Sequence, residues 1–194
     1  MRPEAATLKL AVFPHARFLT DVLLVLAGMG FVALAAQVKI DLSFTPVPST
    51  WQTFAVVLVG ASLGALLGLA SLGLYLFVGA LGAPIYADGQ HGWDVLTGPT
   101  GGYIIGFVFA ACLTGFLAQK HWDRRFSSAV AAMLTGNVVI YLFGLPWLAA
   151  KIDTGLEGTL EAGLYPFVVG DLLKLYLAGA LLPAAWGLVS RFKG

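Results

Sequence analysis

Two oppositely charged side chains, Asp171 and Lys174, lie three residues apart within the otherwise apolar segment 167–189. At this spacing on a helix, both side chains project from the same face. Charges inside a membrane-spanning segment are costly, and they commonly mark a binding site or a transport pathway. The pair therefore predicts an acceptor and a cation that hold one small polar solute. The alternative is an internal ion pair with no further role.

The composition indicates which class of protein contains this segment. Of the 194 residues, 59% are hydrophobic and 11% are charged, whereas soluble domains are about 45–50% apolar and about 25% charged. We therefore predict an all-α integral membrane protein with one membrane domain over residues 1–194. The net charge of +1 gives no indication of nucleic-acid binding, and the single cysteine, Cys112, excludes an internal disulfide.

Five regions are long and apolar enough to span a bilayer at about 20 residues per crossing. Four of them, 19–38, 103–119, 127–148 and 167–189, each predict one helix. The fifth, 51–83, contains no charged residue. It is long for one crossing and short for two.

The distribution of Lys and Arg decides between one crossing and two. Basic residues cluster in three places, at Arg2, Lys9 and Arg17, at Lys120, Arg124 and Arg125, and at Arg191 and Lys193. Excess Lys and Arg belongs on the cytoplasmic side. All three clusters face the cytoplasm only if 51–83 crosses twice. We therefore predict helices at 51–68 and 70–83, joined near residues 68–71, six transmembrane helices in total and both termini in the cytoplasm.

Two alternatives to this topology remain open. Region 51–83 is also compatible with a re-entrant element. The first apolar segment, which follows Arg17 and ends in the small-residue pattern at 33–35, is compatible with a cleavable signal peptide. Retention of this segment is favoured, because further spans follow and the charge parity requires it.

Several catalytic patterns in the chain lack the context that they require. Residues 60–64 match G-x-S-x-G, but they lie in an apolar helical run without the strand–turn–helix setting of a nucleophile elbow. His15, His91 and His121 show no zinc-ligand spacing. There is no P-loop, so any ATP-driven step needs another subunit. We predict a protein that is not an enzyme and that has no metal or cofactor.

With this topology, loop 84–102 and the start of the last helix face outside. A long loop in a compact membrane protein is often a lid or a binding loop. Trp93 and Tyr103 are either pocket residues or interfacial anchors. Asn137, central in the fifth predicted helix, either faces the pocket or forms an interhelical hydrogen bond.

Four stretches of the chain resemble one known family in the family's own order. They are PVPSTWQT at 46–53, GALGAP at 79–84, GPTGGY at 98–103 and GDLLK at 170–174. Over almost its full length the chain resembles BioY, the biotin-binding S component of energy-coupling factor (ECF) transporters. The resemblance implies a six-helix S-component fold and capture of biotin at the cytoplasmic membrane of a bacterium or archaeon. It also implies a transmembrane coupling protein and two ATPases as partners, and homo-oligomers are a further possibility.

The same resemblance assigns ligand contacts to Asp171 and Lys174, and an amide contact to Gln90 as the best positional match. Chemically, Lys174 can pair with the carboxylate of biotin, and Asp171 can accept from a ureido N–H. Tyr86, Trp93 or Tyr103 can cover the thiolane ring.

The alternative function is a stand-alone or proton-coupled secondary transporter of biotin or another small carboxylate. In that alternative, Asp171 carries the proton. Secondary transporters often contain internal repeats with broken helices, and no second copy of the Asp171/Lys174 element is evident in the chain.

Overall fold

The computed structural model describes residues 7–15, 17–40 and 42–193, and for residues 192 and 193 it describes the backbone only. Arg2 lies outside the described residues, as does the side chain of Lys193. The charge argument at these two positions therefore stays a prediction.

Within the described residues the chain is mainly α-helical. The helices are α1 (Leu8–Val12), α2 (Phe18–Gln37), α3 (Gln52–Leu63), α4 (Ala65–Ala80), α5 (Trp93–Thr97), α6 (Gly101–Gln119), α7 (Phe126–Ile152), α8 (Gly155–Gly163) and α9 (Tyr165–Lys193). Two short strands, β1 (Lys39–Ile40) and β2 (Ser49–Thr50), pair antiparallel, with Lys39 opposite Thr50. Single 3₁₀ turns lie at Ala87–Gly89 and Trp122–Arg124.

Four helical segments of the described chain are long and apolar enough to cross a membrane. They are Phe18–Gln37, Gly101–Gln119, Phe126–Ile152 and Gly155–Arg191, the last of which includes α8 and most of α9. Helices α3 and α4 are apolar but shorter.

Helices α3 and α4 form a hairpin. A Cβ atom added to Gly68 would lie 3.0 Å from the Cα of Gly60, although a continuous helix would separate these residues by about 12 Å at 1.5 Å per residue. At the open end of the hairpin, Gln52 Nε2 donates to the Tyr75 hydroxyl at 2.7 Å. The chain therefore turns back on itself between the two helices.

The turn of this hairpin lies at Gly64, so the joint predicted near residues 68–71 was placed too late in the sequence. Gly64 has φ +90° and ψ 172°, a conformation that is essentially restricted to glycine. Helix α4 begins at the next residue and passes through 68–71 without a break. Gly64 also abuts the end of α6, because an added Cβ would lie 3.3 Å from Nε2 of Gln119.

Helix α6 lies at the centre of the bundle, in contact with α3, α4 and α7. Small residues permit this packing, since a Cβ on Gly60 would lie 2.3 Å from the Ala111 carbonyl oxygen. A Cβ on Gly106 would lie 3.1 Å from the Cα of Ile140. Such close backbone approach is the usual basis of helix association in lipid.

Other helix ends differ from the predicted limits by a few residues. Helix α7 continues to Ile152 rather than ending at 148, and α9 begins at Tyr165 rather than 167. Helices α1, α5 and α8 were not predicted. Each has fewer than ten residues, so none gives a membrane-length hydrophobic signal in the sequence.

Candidate ligand-binding site

A cavity lies where the beginnings of α3, α6 and α9 meet the middle of α7. The segment 47–50 and the loop 86–90 complete its wall. It contains about 650 Å³ of space that protein atoms do not fill, part of it open to solvent.

Asp171 supplies the acceptor of this cavity. The residue is 5% exposed, and its Oδ2 accepts a hydrogen bond of 2.5 Å from the hydroxyl of Tyr141. Its Oδ1 accepts from Thr53 Oγ1 at 3.2 Å and from Lys174 Nζ at 3.1 Å. A carboxylate has about four lone-pair positions, so Asp171 keeps capacity for a donor on a ligand.

Lys174 supplies the cation beside it. Its Nζ donates to the backbone carbonyl of Thr50 at 2.7 Å, and it lies 3.4 Å from Thr53 Oγ1. The side chains of Lys174 and Asp171 are 12% and 6% exposed. The ion pair considered from the sequence is therefore present, and it lies in the wall of a cavity rather than in a closed core.

Most of the remaining wall is apolar. Ile104 and Phe107 contribute from α6, Ile140 from α7 and Phe167 from α9. An apolar enclosure with a few convergent polar groups is typical of a site for a small organic molecule.

Tyr86 and Tyr103, which were predicted to cover the ligand, line the cavity. Their hydroxyls are already engaged. That of Tyr86 donates to the Leu76 carbonyl at 2.6 Å, and that of Tyr103 donates to the Gly163 carbonyl at 2.9 Å. Burial raises the pKa of Tyr86, which lies in a loop, to about 12. Both residues therefore serve as walls rather than as donors to a ligand.

Gln90 and Trp93 occupy different positions relative to the cavity. Gln90 is an exposed residue that lines its rim. Trp93, the first residue of α5, is 64% exposed and is not among the cavity-lining residues, because α5 turns Leu96 inward instead. The structure therefore brings five of the six predicted site residues together and leaves Trp93 outside.

Sequence reasoning missed two side chains that contact Asp171, namely Thr53 and Tyr141. Thr53 was noted only as part of the 46–53 stretch. On α7 the polar residue singled out was Asn137, one turn from Tyr141. Asn137 is buried, but it is not among the cavity-lining residues, and its Oδ1 accepts no hydrogen bond from the residues that the structure describes.

A second, more open depression adjoins the cavity and shares its Gln90 and Thr100 wall. Two contacts hold the loop 86–90 at this boundary. Lys39 pairs with Asp88 at 2.9 Å, while the Gln37 amide donates to the Tyr86 carbonyl at 3.0 Å and accepts from the Gly89 N–H at 3.1 Å. The depression is thus the open space next to the cavity, and we refer to it as the mouth. Across the described part of the chain, no three His, Cys, Asp or Glu side chains are grouped as metal ligands.

The fold defines a helical, multi-pass membrane protein, and its cavity is a candidate site for a small solute. Comparison with known proteins identifies the family. A family model described as the BioY family matches residues 5–191, and the chain belongs to this family. The resemblance stated from the sequence is therefore confirmed.

Relatives in this family come from bacteria and archaea. The chain is 34% identical over 157 residues to a biotin transporter BioY of Rhizobium etli, covering 77% of this chain and 83% of the relative. It is 41% identical over 145 residues to a probable biotin transporter BioY of Pyrococcus horikoshii, covering 74% and 84%. A crystal structure of the S-component for biotin from an ECF-type ABC transporter matches with a TM-score of 0.76 and 25% identity, covering 86% of this chain and 90% of that chain.

Proposed function

We propose that the protein captures biotin and mediates its uptake as the substrate-binding component of an ECF-type transporter, and that it is not an enzyme. The observation that carries this proposal is the Asp171–Lys174 pair in the wall of a largely apolar cavity. The names of the relatives and of the solved S-component support biotin as the ligand.

Biotin has chemical groups that match this cavity. Its cyclic urea places N–H donors next to a carbonyl acceptor, its thiolane ring is apolar, and its tail ends in a carboxylate. Asp171 accepts from a ureido N–H, and hydrogen bonds to charged groups contribute about 1.5–3 kcal/mol each. Ile104, Phe107 and Phe167 contact the thiolane ring. Gln90 donates and accepts at the rim, while Trp93 covers the ligand only if α5 moves.

Lys174 contacts a different group of biotin in each of two possible ligand orientations. If it pairs with the carboxylate, the tail must fold back over the ring, because Nζ lies only 3.1 Å from Asp171 Oδ1. If it donates to the ureido carbonyl, the tail points to the mouth of the cavity. Biotin methyl ester distinguishes the two, since it lacks the tail charge and loses affinity strongly only in the first orientation.

The test of the proposal is biotin binding to the purified protein in detergent, with Lys174→Ala and a matched control. Lys151→Ala is that control, because Lys151 is exposed and lies near Trp147 rather than in the cavity. We expect tight binding by wild type and Lys151→Ala, and a loss of at least about thirtyfold for Lys174→Ala, since truncating one partner of a buried, hydrogen-bonded charge pair costs about 2–5 kcal/mol of binding free energy. Absence of binding by folded wild type would rule out biotin.

We also propose six membrane crossings, with both termini in the cytoplasm and the cavity opening to the outside of the cytoplasmic membrane. Support comes from the α3–α4 hairpin, whose turn at Gly64 abuts the end of α6 at Gln119. Because the hairpin returns to its starting side, the basic groups at Lys9 and Arg17, at 120–125 and at Arg191 fall on one side of the membrane. Cysteine labelling from either side at position 122 and at position 93 tests this topology.

The proposed partners are a transmembrane coupling protein and two ATPases. The sequence offers no phosphate-binding loop for ATP, and the matching crystal structure is described as a component of an ABC transporter. Uptake that stops on ATP depletion but tolerates a protonophore supports this coupling. The reverse pattern would support the proton-coupled alternative.

A further inference from the structure

A second set of buried polar groups begins in the same cavity wall as the ion pair and connects the two sides of the cavity. It starts at Thr50, whose carbonyl accepts from Lys174 Nζ at 2.7 Å. The hydroxyl of the same Thr50 donates to Oε1 of Gln52 at 2.9 Å. The backbone that holds the cation in place is thus joined to the first residue of α3.

From Gln52 the chain of hydrogen bonds crosses to α4. Gln52 Nε2 donates to the Tyr75 hydroxyl at 2.7 Å, and that hydroxyl donates to the carbonyl of Ile85 at 3.1 Å. Gln52 is 6% exposed and Tyr75 is fully buried. Each group in this relay donates a hydrogen bond to the next. Removal of any one member therefore leaves a buried polar group without its partner, at a cost in free energy.

The relay ends where the opposite wall of the cavity begins. Tyr86 follows Ile85 directly. Its ring packs edge-on against the ring of Tyr75, with the two ring centroids 5.4 Å apart. The Tyr86 N–H donates to the Gln90 carbonyl at 3.1 Å, and the Gln90 N–H donates to the Ala87 carbonyl at 3.2 Å. The Ile85 carbonyl is therefore an anchor of the 86–90 wall, in addition to the contacts from Gln37 and Lys39.

We propose that Gln52 and Tyr75 are positioning residues that fix the separation between Lys174 and the 86–90 wall, and that this separation sets how slowly biotin dissociates. The proposal rests on the proposed function, because biotin is the ligand whose dissociation is considered. Gln52 lines the cavity itself, but Tyr75 does not. The effect of Tyr75 on the ligand therefore passes through the loop rather than through direct contact.

The experiment compares Tyr75→Phe with wild type in two measurements. The first is amide hydrogen exchange over residues 85–92 in protein without biotin, which does not depend on the identity of the ligand. The second is the rate of biotin dissociation. We expect Tyr75→Phe to exchange faster at Gly89 and Gln90 and to release biotin about tenfold faster, equivalent to about 1.4 kcal/mol.

The matched control is Thr114→Val, which also removes one buried hydroxyl. Thr114 is fully buried on α6 and donates to the Ala110 carbonyl of its own helix at 2.9 Å, away from the relay. A general loss of stability would change both variants alike, whereas positioning changes exchange and dissociation only in Tyr75→Phe. If Tyr75→Phe does not fold, Gln52→Met interrupts the relay one bond earlier. Because Gln52 itself lines the cavity, only the exchange over residues 85–92, and not biotin dissociation, is measured in that variant.

The possible outcomes separate the two proposals. Wild-type exchange over 85–92 in a folded relay variant would overturn the positioning role, whatever the ligand proves to be. Faster exchange with unchanged biotin dissociation would overturn the link between loop position and the dissociation rate. Faster exchange in the variant, together with no biotin binding by wild type, would keep the relay as a determinant of loop position and reject biotin as its ligand.

Discussion

Removing one charge from the Asp171–Lys174 pair should destabilise the protein more than removing both. In Asp171→Ala, Lys174 stays at a position where its side chain is only 12% exposed. It keeps the Thr50 carbonyl as an acceptor but loses its counter-charge. Tyr141 and Thr53 lose their shared acceptor at the same time.

The magnitude follows from these contacts. Breaking a buried ion pair by removing one partner costs about 3–5 kcal/mol. Because the Thr50 carbonyl remains 2.7 Å from Nζ, we expect the lower end of that range, about 3 kcal/mol. In the double variant Asp171→Ala/Lys174→Met no charge remains in the site, and we expect at least about 1 kcal/mol of the loss to be recovered, since apolar replacement of both partners is often neutral.

The assay is unfolding of the purified protein by SDS titration in mixed micelles, with biotin binding measured in parallel. Both variants should lose biotin binding, so recovery of stability in the double variant is separable from function. The reasoning would be refuted if Asp171→Ala were as stable as wild type, or if the double variant were less stable than the single one. Lys151→Ala again serves as the control for loss of a lysine outside the cavity.

Two further predictions concern regions away from the cavity. Gly64→Ala should lower the free energy of unfolding by about 1–3 kcal/mol, because φ +90° with ψ 172° is strained for any residue with a Cβ atom. The control in the same SDS titration is Gly187→Ala on α9, where an added Cβ has open space around it. Burial raises the pKa of the Asp123 carboxyl, which lies between α6 and α7, although the Trp186 indole N–H at 2.6 Å partly offsets the rise. A raised pKa in the folded state means that the unfolded chain releases this proton first, so this group makes stability fall as pH rises above about 3.9 and up to the folded pKa. Asp123→Asn should remove that slope in thermal unfolding measured between pH 4 and 7, and an unchanged slope would contradict the assignment.

The sequence indicated the α3–α4 hairpin through charge alone but placed its turn incorrectly. Region 51–83 contains several glycines, and any of them can end a helix. The structure uses Gly64, where the backbone passes against the end of α6, while Gly68 stays helical and packs on Gly60. The choice between these glycines depends on a neighbouring helix, which local sequence does not specify.

In the cavity, the sequence placed Asp171 beside Lys174 because the helical repeat alone brings residues three apart onto one face. Thr53 and Tyr141 could not be found in this way. They lie on α3 and α7, and they reach Asp171 across 118 and 30 residues of chain. Trp93 was predicted from its place in the loop but lies outside the cavity. The short helix α5 buries Leu96 and leaves Trp93 exposed.

By itself, the sequence determined that this chain is a helical membrane protein, that one helix carries an adjacent acceptor and cation, and that its motifs are those of the BioY family. These properties follow from composition, from the helical period and from short contiguous stretches. The tertiary structure alone decided which side chains share the cavity with Asp171 and Lys174, where the hairpin turns, and how Gln52 and Tyr75 connect the two walls. Those arrangements depend on contacts between segments far apart in the chain, and the packing of whole helices, rather than any local pattern, sets which residues meet.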